Sequence, residues 1–102
     1  MMKLLITFLL STHLAFGCLV TGRTLNGPQG VRGSYVFAVD VTEGSGGSFI
    51  AGRSVSNTFG YYRFEIPCGR DYELIAWDKR FTYDAYKVSG LPSSVVLNFY
   101  AQ

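Results

Sequence analysis

The stretch Ser54-Val55-Ser56-Asn57-Thr58-Phe59-Gly60-Tyr61-Tyr62-Arg63-Phe64-Glu65-Ile66-Pro67-Cys68-Gly69-Arg70-Asp71-Tyr72-Glu73-Leu74 carries the clearest fold signal in the chain. Tyr62, Phe64 and Ile66 alternate with Tyr61, Arg63 and Glu65. A period of two marks a half-buried strand, because successive side chains of a strand leave on opposite faces. Tyr62, Phe64 and Ile66 are therefore expected in the core, and the other three in solvent. Asn57-Thr58-Phe59-Gly60 is a turn. Asn57 can hydrogen-bond back to the turn backbone, and Gly60 can adopt the left-handed conformation that a Cβ resists. Residues 49–56 form a strand before this turn, so the two strands read as a hairpin. Pro67-Cys68-Gly69-Arg70 is a second turn, where Gly69 lets the chain reverse before Tyr72 re-enters the core. Residues 71–77 then form another strand, with Tyr72, Leu74 and Ala76 on one face.

The same alternation extends in both directions. Residues 19–24 form a first strand, and Asn26-Gly27-Pro28-Gln29-Gly30 is a turn rich in strand breakers. Residues 35–41 form the next strand; Tyr35, Phe37, Val39 and Val41 share one face, and Val36, Ala38 and Asp40 the other. Glu43-Gly44-Ser45-Gly46-Gly47-Ser48 is a flexible loop. Asp78-Lys79-Arg80 is expected as an exposed charged corner, residues 81–88 as a short edge strand, Gly90-Leu91-Pro92-Ser93 as a turn, and residues 94–101 as the closing strand. No segment has a helical period. The expected product is an all-β, small antiparallel Greek-key β-sandwich of six to seven strands. The chain of 102 residues is one domain's worth, and 48% hydrophobic residues against 16% charged exclude a disordered chain. A net charge of +2 gives no reason to expect a nucleic-acid partner.

The N-terminus reads differently. Met1-Met2-Lys3 is a basic start, Leu4-Leu5-Ile6-Thr7-Phe8-Leu9-Leu10 is apolar, and Ala15-Phe16-Gly17 places small residues before a cleavage point. This is the layout of a secretory signal peptide at residues 1–17, cleaved between Gly17 and Cys18. The apolar run is too short to span a bilayer, which takes about 20 residues. The remaining domain, residues 18–102, holds eight Lys/Arg against seven Asp/Glu and no histidine, because the only one is His13. Catalysis through a Ser-His-Asp or Cys-His pair, and most zinc chemistry, is thereby excluded from it. Secretion permits a disulfide, and two cysteines allow one pairing, Cys18 with Cys68. It closes a loop of about 50 residues, a constraint on the order of 3–4 kcal/mol. Cys18 has a competing use as the site of a bacterial lipid anchor. That would tie the chain to a membrane and leave Cys68 unpaired, and Ala15 stands where the lipoprotein pattern usually has Leu.

The central stretch resembles the core of the carboxypeptidase regulatory-like domain, a family similar to transthyretin in fold. The shared features are the polar turn at Asn57 and Gly60, the Tyr62-x-Phe64 strand, the turn at Gly69, and Tyr72 opening the next strand. Val20-Thr21-Gly22-Arg23, residues 33–41 and Lys79-Arg80-Phe81 fit the flanking parts of bacterial members. Cys68 departs from the pattern, as does the long loop at residues 42–48. The resemblance implies a non-catalytic accessory module with a structural or protein-binding role at the cell envelope, and no cofactor. Exposed edge strands offer one route to a partner.

Candidate chemistry is sparse. Asp78 and Asp84 fit no calcium loop, and with Lys79 and Arg80 beside them they read as a solvated corner rather than a metal or acid–base site. Asp71 and Glu73 also read as solvent-facing. No serine lies in a nucleophile-elbow pattern. Tyr61, Trp77, Tyr83 and Tyr86 exceed what an 85-residue core needs and form a candidate ligand surface for a protein or a polysaccharide. Large aromatics mostly bury, so Trp77 is expected to cover the second face of the sandwich. Arg63 beside Tyr61 is a candidate cation–π pair.

Overall fold

A computed structural model describes residues 17–44 and 46–102. Except for Gly17, the expected leader helix at residues 1–17 lies outside the described residues. These form nine strands: β1 (Gly17–Asn26), β2 (Gln29–Gly30), β3 (Tyr35–Asp40), β4 (Phe49–Val55), β5 (Tyr61–Pro67), β6 (Tyr72–Trp77), β7 (Tyr86–Val88), β8 (Val95–Val96) and β9 (Phe99–Tyr100). No helix occurs among them. One sheet has β1 at its centre, flanked by β5 and β2 and by β8 and β9; the other runs β4-β3-β6-β7.

The alternation read from the sequence selects the inward faces. Tyr62, Phe64 and Ile66 point in from β5, Val20 from β1, Val36 and Ala38 from β3, and Tyr72, Leu74 and Ala76 from β6. Leu91 and Phe99 close the two ends of this layer. A fully buried aromatic or branched side chain contributes roughly 1.5–3 kcal/mol, so this one layer is the main source of stability. The Cys18–Cys68 disulfide is formed and ties the start of β1 to the turn after β5. With its sulfur committed there, Cys18 has no thiol left for a lipid thioether.

Three expectations need correction. First, β4 and β5 are not a hairpin. β4 pairs with β3 and β5 with β1, so the Asn57–Gly60 turn carries the chain from one sheet to the other. Ser56 explains the departure. It is buried, its hydroxyl donates to the Val31 carbonyl at 2.6 Å and accepts the Ser34 N–H at 2.9 Å, and it thereby pins the end of β4 to the β2–β3 connection. Second, the sandwich is not wholly antiparallel. β8 and β9 run parallel to β1 as one strand interrupted at Leu97 and Asn98. The interruption is filled by side chain and backbone: Asn98 Oδ1 accepts the Arg23 N–H at 2.9 Å, and the Thr21 carbonyl accepts the Leu97 N–H at 2.8 Å. Gly22 sits where the Leu97 carbonyl presses in, since a Cβ there would lie 1.8 Å from that oxygen. Third, nine strands replace six or seven, because short pairings at β2, β8 and β9 become separate elements.

The turn chemistry is as the residues suggest. Asn57 Oδ1 accepts the N–H groups of Phe59 and Tyr61, each at 3.0 Å. Gly60 has φ of 86°, and a Cβ there would meet the Thr24 carbonyl at 2.4 Å. Position 60 therefore demands glycine twice, for its backbone angle and for the close approach of β1.

Candidate functional site

Directly opposed residues in an antiparallel ladder share a face. The register thus lays out the outer face of the four-stranded sheet in rows: Val55, Tyr35 and Trp77; Arg53, Phe37 and Ile75; Ile50, Val39, Glu73 and Lys87. Seven of these ten side chains are apolar or aromatic. Tyr35, Ile50, Val55 and Trp77 are each more than half exposed. Tyr35, Phe37, Ile50, Arg53 and Trp77 line a shallow groove of about 250 Å³. The other sheet has a mixed exterior over the corresponding rows, Arg23 with Tyr61, Thr21 with Arg63 and the exposed Val96, and Leu19 with Glu65. A sandwich ordinarily solvates both outer faces with polar residues, so the apolar one marks an interaction surface.

The four aromatics singled out in the sequence do not form one surface. Trp77 is exposed, contrary to the expectation of burial. It lies across from Tyr35, ring centroids 6.2 Å apart and planes at 44°. Tyr61 is on the outside of the other sheet, under the Arg23 guanidinium at 4.6 Å from its ring centre; Arg23, not Arg63, is the cation. Tyr83 and Tyr86 turn inward and pack edge-on against Phe99, at 6.4 Å and 5.2 Å. Phe37 and Ile50 were missed as surface residues. The signal was present in the strand at residues 35–41, both of whose faces are apolar until Asp40. A strand with two apolar faces in a two-layer fold must leave one of them outside.

The corner at residues 78–80 also differs from expectation. Lys79 and Arg80 are exposed, but Asp78 is buried. Its carboxylate accepts from Arg80 Nε and Nη2 at 2.9 and 2.8 Å, from the Arg80 N–H at 2.8 Å, and from the Ser34 hydroxyl at 2.8 Å. The Ser34 hydroxyl also meets Tyr83 Oη at 3.1 Å. The Arg80 hydrogen bonds outweigh the effect of burial and hold the Asp78 carboxyl well below the usual range. Asp40, equally buried, is paired with Arg70. There burial pushes the carboxyl up, but the hydrogen bonds from Arg70 and Thr42 prevail and the net shift is downward. Asp71 is half-buried and accepts the Gly90 N–H at 2.7 Å. Asp84 is exposed. Among the described residues no group of three or more His, Cys, Asp or Glu is placed to hold a metal.

These carboxyls set the acid behaviour. Both have folded pKa values below their unfolded ones, so their contribution is complete above about pH 4 and is lost as pH falls below it. Asp78→Asn should flatten the acid limb of the unfolding free energy against pH by on the order of 1–2 kcal/mol, since solvent screens the half-exposed Arg80. Wild type and variant losing stability in parallel between pH 6 and pH 2.5 would remove Asp78 from this account.

The chain matches no model of a known protein family, and no curated protein matches it. What fold and site define is a class: a small, disulfide-bonded all-β sandwich with one predominantly apolar outer face.

Proposed function

We propose that the chain is a secreted or cell-envelope, non-catalytic module of the carboxypeptidase regulatory-like type that binds a protein partner through the outer face of β4-β3-β6-β7. The observation that carries this reading is that seven of the ten ladder side chains on that face are apolar or aromatic, against a mixed exterior on the other sheet. The groove supplies aromatic anchors of the kind that dominate protein interfaces, with Arg53 the one charged side chain lining it. Edge-strand addition is the weaker route. β4 carries a register shift opposite Ala38/Val39 and an exposed Arg53, both of which discourage strand pairing, and β7 offers only three residues. The tilted Tyr35–Trp77 pair favours a second reading, carbohydrate binding, but the groove's walls carry no carboxylate or amide, and Arg53, the Tyr35 hydroxyl and the Trp77 indole N–H are the groups left to orient a sugar.

Trp77→Ala and Tyr35→Ser should each weaken capture of the partner from an envelope fraction by roughly tenfold to thirtyfold, as loss of an interface anchor does, without lowering the melting temperature. Retained capture by both variants would refute the protein-docking reading. Saturable quenching of Trp77 by a neutral polysaccharide would transfer the face to the second one.

A further inference from the structure

We infer that the partner of this face presents an acidic segment carrying aromatic or branched apolar anchors. This rests on the docking reading above and adds the charge of the occupant. The observation is the distribution of ionic groups around the groove.

Arg53 lines the groove beside Phe37. Next to it lies a second hollow, lined by Gly33, Tyr35, Trp77, Asp78, Lys79 and Arg80 and sharing Tyr35 and Trp77 with the first. Its only carboxylate, Asp78, is buried and already satisfied by Arg80 and Ser34. Arg53 and Lys79 are exposed, and neither is in an ion pair among the described residues. The unburied acids of this sheet sit at its other end: the exposed Glu43 in the loop before β4, the half-buried Asp71 before β6, and the half-buried Glu73, which faces Lys87 across the ladder. The aromatic end of the face thus holds unopposed positive charge over apolar walls. Low-dielectric walls concentrate such a field and attract an anion.

The same distribution selects among occupants. A second copy stacked two-fold on this face offers Arg53 and Lys79 either like charges or the acids of its far end, where Glu73 already faces Lys87 and Asp71 already accepts the Gly90 N–H. A neutral polysaccharide can lay its C–H faces on Tyr35 and Trp77 but brings no anion to Arg53 and Lys79. A flat anionic lipid surface would also meet Glu73 and Asp71 along the same sheet. An acidic peptide segment places carboxylates on Arg53 and Lys79 and side chains between Tyr35, Phe37, Ile50 and Trp77.

The test uses a capped octapeptide in which glutamate alternates with phenylalanine and isoleucine, its lysine counterpart, polygalacturonate, and phosphatidylglycerol vesicles. The readout is emission of Trp77, the single tryptophan of the chain. The acidic peptide should bind saturably, at least about tenfold tighter than the basic one, with affinity falling as salt is raised. Arg53→Glu/Lys79→Glu should reverse the preference, and Arg53→Gln/Lys79→Gln should abolish it; melting curves check that both variants fold. Equal binding of both peptides, lost in Tyr35→Ser, would overturn the acidic preference and leave the docking face standing. Binding of neither peptide, or of polygalacturonate or vesicles alone, would overturn the inference outright.

Discussion

Replacing Cys18 and Cys68 together with alanine lowers the melting temperature by roughly 15–30 °C. The bridge spans 50 residues of sequence and closes most of the chain between β1 and the turn after β5. On chain-entropy grounds such a closure constrains the unfolded state by about 3–4 kcal/mol, and in a domain of this size each kcal/mol moves the midpoint by roughly 4–8 °C. The native state adds to the loss. Cys18 is fully buried within the core layer, with Cys68 packed against it, so truncation also removes packing. A reductant should reproduce the fall in wild type and leave the double variant unmoved. Intact mass of secreted protein should show a chain beginning at Cys18 and two hydrogens lighter than its reduced form. An unchanged midpoint on reduction would show that the bridge does not contribute to stability, and a lipid adduct on Cys18 would show that it does not form in the cell.

The local structure was legible because period-two alternation and turn chemistry act within a few residues. Tyr62, Phe64, Ile66, Tyr72, Leu74 and Ala76 all face inward as their spacing dictates, and Asn57 and Gly60 build the turn their chemistry suggests. Sheet assignment was not legible. A hairpin within one sheet and an arch between two sheets give the same alternation on either side of the same turn. What separates them is Ser56, whose two hydrogen bonds reach residues more than twenty positions away. The parallel pairing of the C-terminal segment with β1 was hidden for the same reason: its contacts span about three quarters of the chain. Of the candidate site, Trp77 was named, though expected to bury, and its neighbours were not. Tyr35, Phe37 and Ile50 join it only through the β3–β4 and β3–β6 registers, and residue types alone do not reveal a register. Asp78 was misplaced because its acceptance of Ser34 links positions 44 apart.

Phe99→Ala should cost about 3–5 kcal/mol, the range for removing a fully buried aromatic ring. Phe99 lies on β9, a strand of two residues whose backbone pairing alone could not hold the C-terminus in place. The ring is the anchor. It contacts Tyr62 at 5.9 Å, Tyr86 at 5.2 Å and Tyr83 at 6.4 Å between centroids, and these three come from β5, β7 and the segment before β7. Hydroxyls of two of these tyrosines also hold the segment just before Phe99: Tyr62 Oη donates to the Leu97 carbonyl at 2.6 Å, and Tyr86 Oη to that of Asn98 at 2.5 Å. Losing the ring therefore opens a cavity among aromatics and loosens both hydroxyl contacts at once. Tyr100→Ala is the internal control. It is the next residue on the same two-residue strand, its side chain is exposed, and it should cost no more than about 0.5 kcal/mol. Urea midpoints at constant slope measure the difference, with hydrogen exchange at the Leu97 and Ala101 amides reporting whether the parallel pairing to Thr21 and Leu25 opens. Equal costs for the two substitutions would mean that the C-terminal segment docks on the sandwich without sharing its cooperative core.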